Sequence, residues 1–141
     1  SNYEPNALFN GFFSFDEAGG ATISDEPPSD ASRIALQTGP ILVSGGIARK
    51  LAIRSDEPAR RIVVAQTTDN ALVFLALFGD ENMFEGPHLA DVPNHLTKVE
   101  KLLRISIANA LNLDGGSASA FITKENSLTE LTSVGSFFCV R

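Results

Sequence analysis

Short apolar runs, separated by stretches rich in Gly, Pro, Asp, Asn and Ser, alternate along most of the chain and predict a β-rich fold. Two of these runs, residues 61–65 and 71–77, flank the turn formers Thr68, Asp69 and Asn70 and predict a hairpin. Both are apolar almost throughout, which is typical of central strands covered on both faces. The other predicted strands are the runs at residues 7–15, 34–36, 41–43 and 133–140, with a short one at 21–23 inside a surface loop of residues 16–32.

One segment has helical periodicity. Its apolar residues recur at spacings of three and four, and its charged residues occupy the other side. Asp91 stands where an N-cap is expected, and Pro93 falls in the first turn, where a missing N–H is tolerated. We therefore predict an α+β fold in one domain spanning residues 1–141, with one main helix packed on a mixed, strongly twisted β-sheet. The apolar positions of the helix are Val92, Leu96, Val99, Leu102 and Leu103.

The segment at residues 109–122 places an acid and two glycines between two apolar runs. A buried strand here would deliver Asp114 to a tight turn at a sheet edge. The N–H groups of Gly115, Gly116 and Ser117 would have little side-chain cover, and such a nest of donors suits an anionic ligand. Glycine pairs also form ordinary turns, so a role for Asp114 as a turn cap remains the alternative.

Composition narrows the classes of function. The 141 residues carry a formal net charge of −6, with 43% hydrophobic and 20% charged residues and no basic block, so nucleic-acid binding is not expected. No apolar run reaches the length of a transmembrane segment, and no signal peptide is recognisable. The single cysteine, Cys139, lies in an apolar run and predicts a packed thiol. His88 and His95 suit surface or capping roles, so neither a metal site nor a cofactor is expected.

Four blocks of the chain, in order, resemble those of the phosphodiester glycosidase family, which includes the N-acetylglucosamine-1-phosphodiester uncovering enzyme. Residues 10–13 (NGFF) resemble N-G-G-F-F, residues 37–40 (QTGP) resemble Q-S-G-P, and residues 61–65 (RIVVA) resemble R-T-A-I-G. Residues 110–119 (ALNLDGGSAS) resemble A-L-N-L-D-G-G-G-S-S. The departures are Phe12 and Ala65 in place of glycines, Ser117-Ala118 in place of Gly-Ser, and a shortened N-terminus.

This resemblance implies a hydrolase of sugar-1-phosphodiester bonds, acting for example on a bacterial cell-envelope polysaccharide outside the cytoplasm. It implies Asp114, Arg61 and Asn10 as catalytic residues. The substrate-binding residues would be Gly11, Thr38, Gly39, Asn112, Gly115, Gly116, Ser117 and Ser119.

The residue types suit such a reaction. Cleavage at the anomeric carbon expels a phosphate monoester, which leaves without protonation, so the usual need for two carboxylates is relaxed. Arg61 could hold the phosphate, Asp114 could act as base or nucleophile, and Asn10 could bind sugar hydroxyls or orient Asp114. Two alternatives stay open: a glycan- or phosphoglycan-binding module without turnover, favoured by Ala118, and a purely structural domain. Sequence leaves the sugar, the stereochemistry and the oligomeric state open.

Overall fold

The computed structural model describes residues 8–28, 32–134 and 137–139. The first strands along the chain are β1 (Gly11–Asp16), β2 (Ala21–Ser24), β3 (Ser32–Thr38), β4 (Ile41–Ser44), β5 (Ile47–Ala48), β6 (Arg61–Thr67) and β7 (Leu72–Leu77). A 3-10 turn (Leu89–Asp91) leads into helix α1 (Val92–Leu103). The strands β8 (Ile107–Gly115), β9 (Phe121–Ile122) and β10 (Ser127–Leu128) follow, with a second 3-10 turn (Gly116–Ala118) after β8.

The strands form three sheets. One has the order β2-β1-β3, the largest has the order β5-β4-β8-β6-β7, and β9 pairs with β10. The α+β class is confirmed, but every strand pair in the described residues is antiparallel, so the sheet is not mixed. The physical reason lies in the connections. Parallel neighbours need a long crossover, whereas the consecutive strands that pair, such as β1 with β2 and β6 with β7, are joined by short turns. The central strand β8 follows a longer connection through α1 and also runs antiparallel to both of its neighbours.

Helix α1 packs on one face of the five-stranded sheet. Its residues Val92 and Leu96 are buried against strand residues that include Leu42, Val63 and Ala65. The N-terminal end was predicted correctly, because α1 begins directly after Asp91 with Pro93 in its first turn. The Asp91 carboxylate, however, makes no capping hydrogen bond.

A second core fills the space between the five-stranded sheet and the three-stranded sheet. Phe13 is fully buried there with Val64 and Leu111. Phe138 reaches the same core, with its ring centroid 5.3 Å from that of Phe13 in an edge-to-face arrangement. The last part of the chain therefore contributes a side chain to this core.

Two predictions about strands need correction. The 61–77 hairpin forms, and β6 is buried as predicted, but β7 lies at the edge of its sheet and is half-buried along its whole length. The predicted strand at residues 133–140 is irregular at each of its described positions, 133, 134 and 137–139; the rest lies outside the described residues.

Cys139 is exposed, so the prediction of a packed thiol was wrong. An apolar composition alone does not separate an edge strand, or a coil that lends one ring to a core, from a central strand.

Gly11 is required by the packing between the two sheets. A Cβ at this position would overlap Cδ1 of Leu111 and lie 2.9 Å from Cγ1 of Ile41. We expect Gly11→Ala to lower the free energy of unfolding by about 1–3 kcal/mol, the usual cost of overpacking a core. Urea denaturation followed by circular dichroism would measure this loss. The control is Ser55→Ala, in an exposed loop. Gly19→Ala would not serve, because Gly19 has a positive φ of 84°. Equal losses of stability in Gly11→Ala and Ser55→Ala would refute the clash.

Candidate functional site

Asp114 and Arg61 lie on neighbouring strands of the sheet, one register position apart. Strands β8 and β6 pair so that Asp114 stands opposite Ile62, and Gly115 stands opposite Arg61. Leu113 is an extra residue on β8, because the register shifts between Ile62 and Val63. Such β-bulges re-aim the neighbouring side chains. Asp114 is exposed, and its Oδ1 accepts a hydrogen bond from the N–H of Gly115 at 2.7 Å.

The Arg61 guanidinium is largely engaged within the protein. Its Nη2 lies 3.3 Å from Oδ1 of Asp56 and donates to the carbonyl of Glu57 at 2.7 Å, and its Nε donates to the carbonyl of Pro87 at 3.3 Å. No hydrogen bond from Nη1 is made to the described residues; this nitrogen would lie 3.3 Å from a Cβ on Gly115. Burial lowers the pKa of Arg61 and the charge of Asp56 raises it, but a guanidinium stays charged.

Asp56 is a residue of this region that the sequence reasoning missed. Its carboxylate accepts the N–H groups of Leu89 and Ala90, each at 2.8 Å, as well as the contact from Arg61. It thereby caps the 3-10 turn that leads into α1, a function predicted for Asp91. No local pattern could have revealed this cap, because Asp56 is more than thirty residues away in sequence.

The loop after Asp114 uses most of its own donors. The N–H of Gly115 bonds to the Asp114 side chain, and the N–H of Gly116 donates to the carbonyl of Arg60 at 2.8 Å. The carbonyl of Ser117 accepts the N–H groups of Leu131 and Thr132. Among the described residues, the N–H of Ser117 has no hydrogen-bond partner. Of the three N–H groups predicted to bind an anion, those of Gly115, Gly116 and Ser117, only that of Ser117 is free of a hydrogen bond to the described residues.

The two glycines of this loop have structural reasons. A Cβ on Gly115 would come within 2.5 Å of the Arg60 carbonyl oxygen, so the neighbouring backbone leaves no room for a side chain. Gly116 has a φ of 67°, which favours glycine. The same shape leaves the loop open to a ligand on its exposed side at Ser117.

The first, second and fourth sequence blocks interlock where the two large sheets meet. The Thr38 hydroxyl contacts the carbonyls of Asn112 at 3.1 Å and Leu113 at 2.7 Å, just before Asp114. Nδ2 of Asn112 donates to the carbonyl of Gly39 at 3.0 Å. Oδ1 of Asn10 accepts the N–H of Ile41 at 2.9 Å. The structure therefore brings these three blocks together: the second is bonded to β8, which carries Asp114, and the first to the neighbouring strand β4.

Four residues of β8 and the first two blocks that were predicted to bind substrate are buried. Thr38 and Asn112 are only 4% and 6% exposed, and Oδ1 of Asn112 is buried without a hydrogen-bond partner among the described residues. Gly11 and Gly39 are buried as well. Asn10 is exposed, but its Oδ1 serves the backbone of Ile41, which leaves the Nδ2 group for a ligand.

Arg60, which the sequence reasoning passed over in favour of its neighbour, is fully buried beneath the Asp114 loop. Its Nε donates to Oγ of Ser119 at 3.0 Å, and its Nη2 donates to the carbonyls of Ser119 and Thr129, the latter at 2.9 Å. Ser119, predicted to bind substrate, is 3% exposed and is occupied by this contact. A pair of arginines before an apolar strand does not show by itself which one is buried.

Two surface grooves lie elsewhere. One, of about 200 Å³, is lined by residues that include Ser24, Asp25 and Asn109, and the other, of about 410 Å³, by residues that include Arg49 and Lys50. Neither is lined by a predicted site residue. Asp114 itself is exposed at the end of the paired strands β6 and β8.

The family model described as phosphodiester glycosidase matches residues 2–141. The chain belongs to the phosphodiester glycosidase family. No match was found among curated proteins.

Membership in the phosphodiester glycosidase family supports a glycosidase-type function with a carbohydrate as the substrate. Three of the four blocks that carried the resemblance meet at β8. Block 37–40 joins it by side-chain hydrogen bonds, block 61–65 pairs with it, and block 110–119 includes most of it. Block 10–13 is bonded through Asn10 to Ile41 on the neighbouring strand β4. None of the described helices is long and apolar enough to cross a membrane.

Proposed function

We propose that this phosphodiester glycosidase hydrolyses a sugar-1-phosphodiester bond of the N-acetylglucosamine-1-phosphodiester kind. One observation carries the proposal: the pairing of β6 with β8 sets an exposed carboxylate, Asp114, beside the position of a guanidinium, Arg61, at the end of two strands. Arg61 pairs directly with Gly115, the residue after Asp114, so the backbones of Arg61 and Asp114 are neighbours, while their side chains start from opposite faces of the sheet. In this proposal a sugar phosphate bound at the strand end contacts both groups.

The proposed reaction breaks the bond between the anomeric carbon and the phosphate oxygen. The phosphate monoester takes the bonding electron pair and leaves as an anion, which needs no general acid. Nη1 of Arg61 and the N–H of Ser117 are the donors available to the phosphate. Water supplies the new oxygen on the anomeric carbon. Asp114 either removes the proton of that water or first forms a bond to the carbon, which water then replaces.

A second candidate function is a phosphoglycan-binding module without turnover. Two of the three Arg61 guanidinium nitrogens donate to Asp56, Glu57 and Pro87. Only Nη1 remains for a phosphate, so Arg61 cannot make a bidentate contact to it. Position 118 is an alanine and offers no hydroxyl. A site with fewer donors stabilises the departing phosphate less, and this would slow hydrolysis more than it weakens binding.

Incubation of the protein with a synthetic N-acetylglucosamine-1-phosphodiester tests the proposal. We expect release of free sugar and of a phosphate monoester in equal amounts, detected by chromatography and phosphorus NMR. The matched control substrate is p-nitrophenyl N-acetylglucosaminide, which has a good leaving group but no phosphate; we expect it to react at least tenfold more slowly, since Arg61 and Ser117 have no phosphate to bind.

The anomeric configuration of the first product, observed by proton NMR, separates the two roles of Asp114. Retention indicates a nucleophile and inversion indicates a base. If no product forms but the diester still perturbs the amide resonances of residues 114–117, the binding module is correct and the hydrolase is not. As part of the same proposal, a cell-envelope polysaccharide is the substrate class and the site of action is outside the cytoplasm.

A further inference from the structure

Arg60 joins three segments that are far apart in sequence. Its side chain reaches the loop after β8 at Ser119 and the segment at Thr129. Its backbone N–H donates to the carbonyl of Phe84 at 2.9 Å, and its guanidinium carbon lies 4.9 Å from the centre of the Phe84 ring. Its backbone carbonyl accepts the N–H of Gly116. Every conformation of the Asp114 loop that moved Gly116 or Ser119 would break contacts with this one residue.

The charge of Arg60 is not balanced by a direct ion pair. Among the described residues no carboxylate lies within 4 Å of its guanidinium, and its Nη1 is buried without a hydrogen-bond partner. Burial lowers the pKa of Arg60, while the charge of Glu130 nearby raises it. A guanidinium nevertheless stays positive. A buried charge without an ion pair is costly, and the contacts to Ser119, Thr129 and the Phe84 ring are what this guanidinium has in its place.

We propose that Arg60 is a positioning residue: it holds the loop from Gly116 to Ser119 in the one conformation that the reaction at Asp114 requires. The side chain is fully buried and does not touch the substrate. This inference rests on the proposed function, but its structural half, the fixed loop, does not depend on turnover.

The contacts distinguish Arg60 from Arg61. Arg61 contacts the loop at residues 56–57 and the backbone of Pro87, whereas Arg60 contacts the turn that follows the reacting carboxylate. The three oxygens that Arg60 contacts lie on two separate segments, and a forked guanidinium can bridge them. A lysine keeps the charge but presents a single nitrogen.

The test compares Arg60→Met and Arg60→Lys with Arg54→Met, a control that removes the same charge from an exposed loop residue. Amide hydrogen exchange by NMR reports on Gly116 and Leu131 in the loop contacts, with Val63 and Val64 as core references. In Arg60→Met we expect exchange at Gly116 and Leu131 to become at least tenfold faster than in wild type, with little change at Val63 and Val64. Arg54→Met should leave all four unchanged.

Kinetics on the diester supply the second readout. We expect kcat of Arg60→Met to fall about 100-fold with less than a threefold change in KM, because a misplaced loop affects the reacting geometry more than ground-state binding. Arg60→Lys should fall about tenfold, as it keeps the charge and loses the fork.

The outcomes separate the two proposals. If wild type shows no turnover, the hydrolase proposal fails, and hydrogen exchange alone then decides whether Arg60 fixes the loop. Unchanged exchange at Gly116 and Leu131 in Arg60→Met would overturn the positioning role, and so would an unchanged kcat. An equal acceleration at Val63 and Val64 would also overturn it, since Arg60 would then support the whole fold rather than the loop.

Discussion

Replacing Asp114 with asparagine is expected to reduce kcat on the phosphodiester by about 10³-fold, within the range that positioned acid–base groups contribute. The asparagine keeps the size of the side chain and an oxygen to accept the N–H of Gly115, so the loop should keep its shape. What is lost is the negative charge, which a base or a nucleophile at the anomeric carbon requires. Steady-state kinetics of sugar release measure the effect, and KM should change little.

The control for this variant is Asp80→Asn, which removes the same charge from an exposed position away from β8. We expect wild-type kcat from it. Asp114→Glu keeps the charge but moves it by one methylene, and its kcat should lie between those of wild type and Asp114→Asn. If Asp114→Asn turned over the diester at the wild-type rate, Asp114 would be a turn cap only.

Replacing Asp56 with alanine is expected to lower the free energy of unfolding by about 3 kcal/mol. The side chains of Asp56 and Arg61 are only 12% and 13% exposed, so removing the carboxylate leaves Arg61 without its counter-charge in a mostly dry environment. The N–H groups of Leu89 and Ala90 lose their acceptor at the same time. Chemical denaturation with constant m-values measures this loss.

Asp56→Asn is the matched control, because it keeps one acceptor oxygen and loses the charge; we expect about half of the loss. A double-mutant cycle with Arg61→Met isolates the ion pair from the capping contacts. If the effects of Asp56→Ala and Arg61→Met were additive, the ion pair would contribute nothing and the stabilisation would come from the cap alone.

Much of the fold could be predicted from local patterns. The period of three and four residues located α1 and its N-terminal end, and the turn formers at residues 68–70 located the β6–β7 hairpin. Which strands become neighbours is set by contacts between distant residues. The edge position of β7 and the meeting of residues 38–41 with Asn112 therefore left no local signal.

The candidate site could likewise be predicted only in part from local patterns. Asp114 follows directly from an apolar run that ends in an acid and two glycines, and the structure places it at an exposed strand end. Asp56 and Arg60 were missed because their roles depend on partners 33 to 69 residues away. Residue type alone also gave no sign that Ser119 and Asn112 turn inward, where Ser119 donates to the carbonyl of Gly116 and Asn112 donates to that of Gly39.

The two adjacent arginines have a consequence for how this family is aligned. Arg60 and Arg61 send their side chains in different directions, and in an extended chain a slip of one residue exchanges those directions. A sequence alignment can match either Arg60 or Arg61 to the single arginine of a relative. We expect relatives with a single arginine here to fall into two groups, distinguishable by whether an acid equivalent to Asp56 is also present.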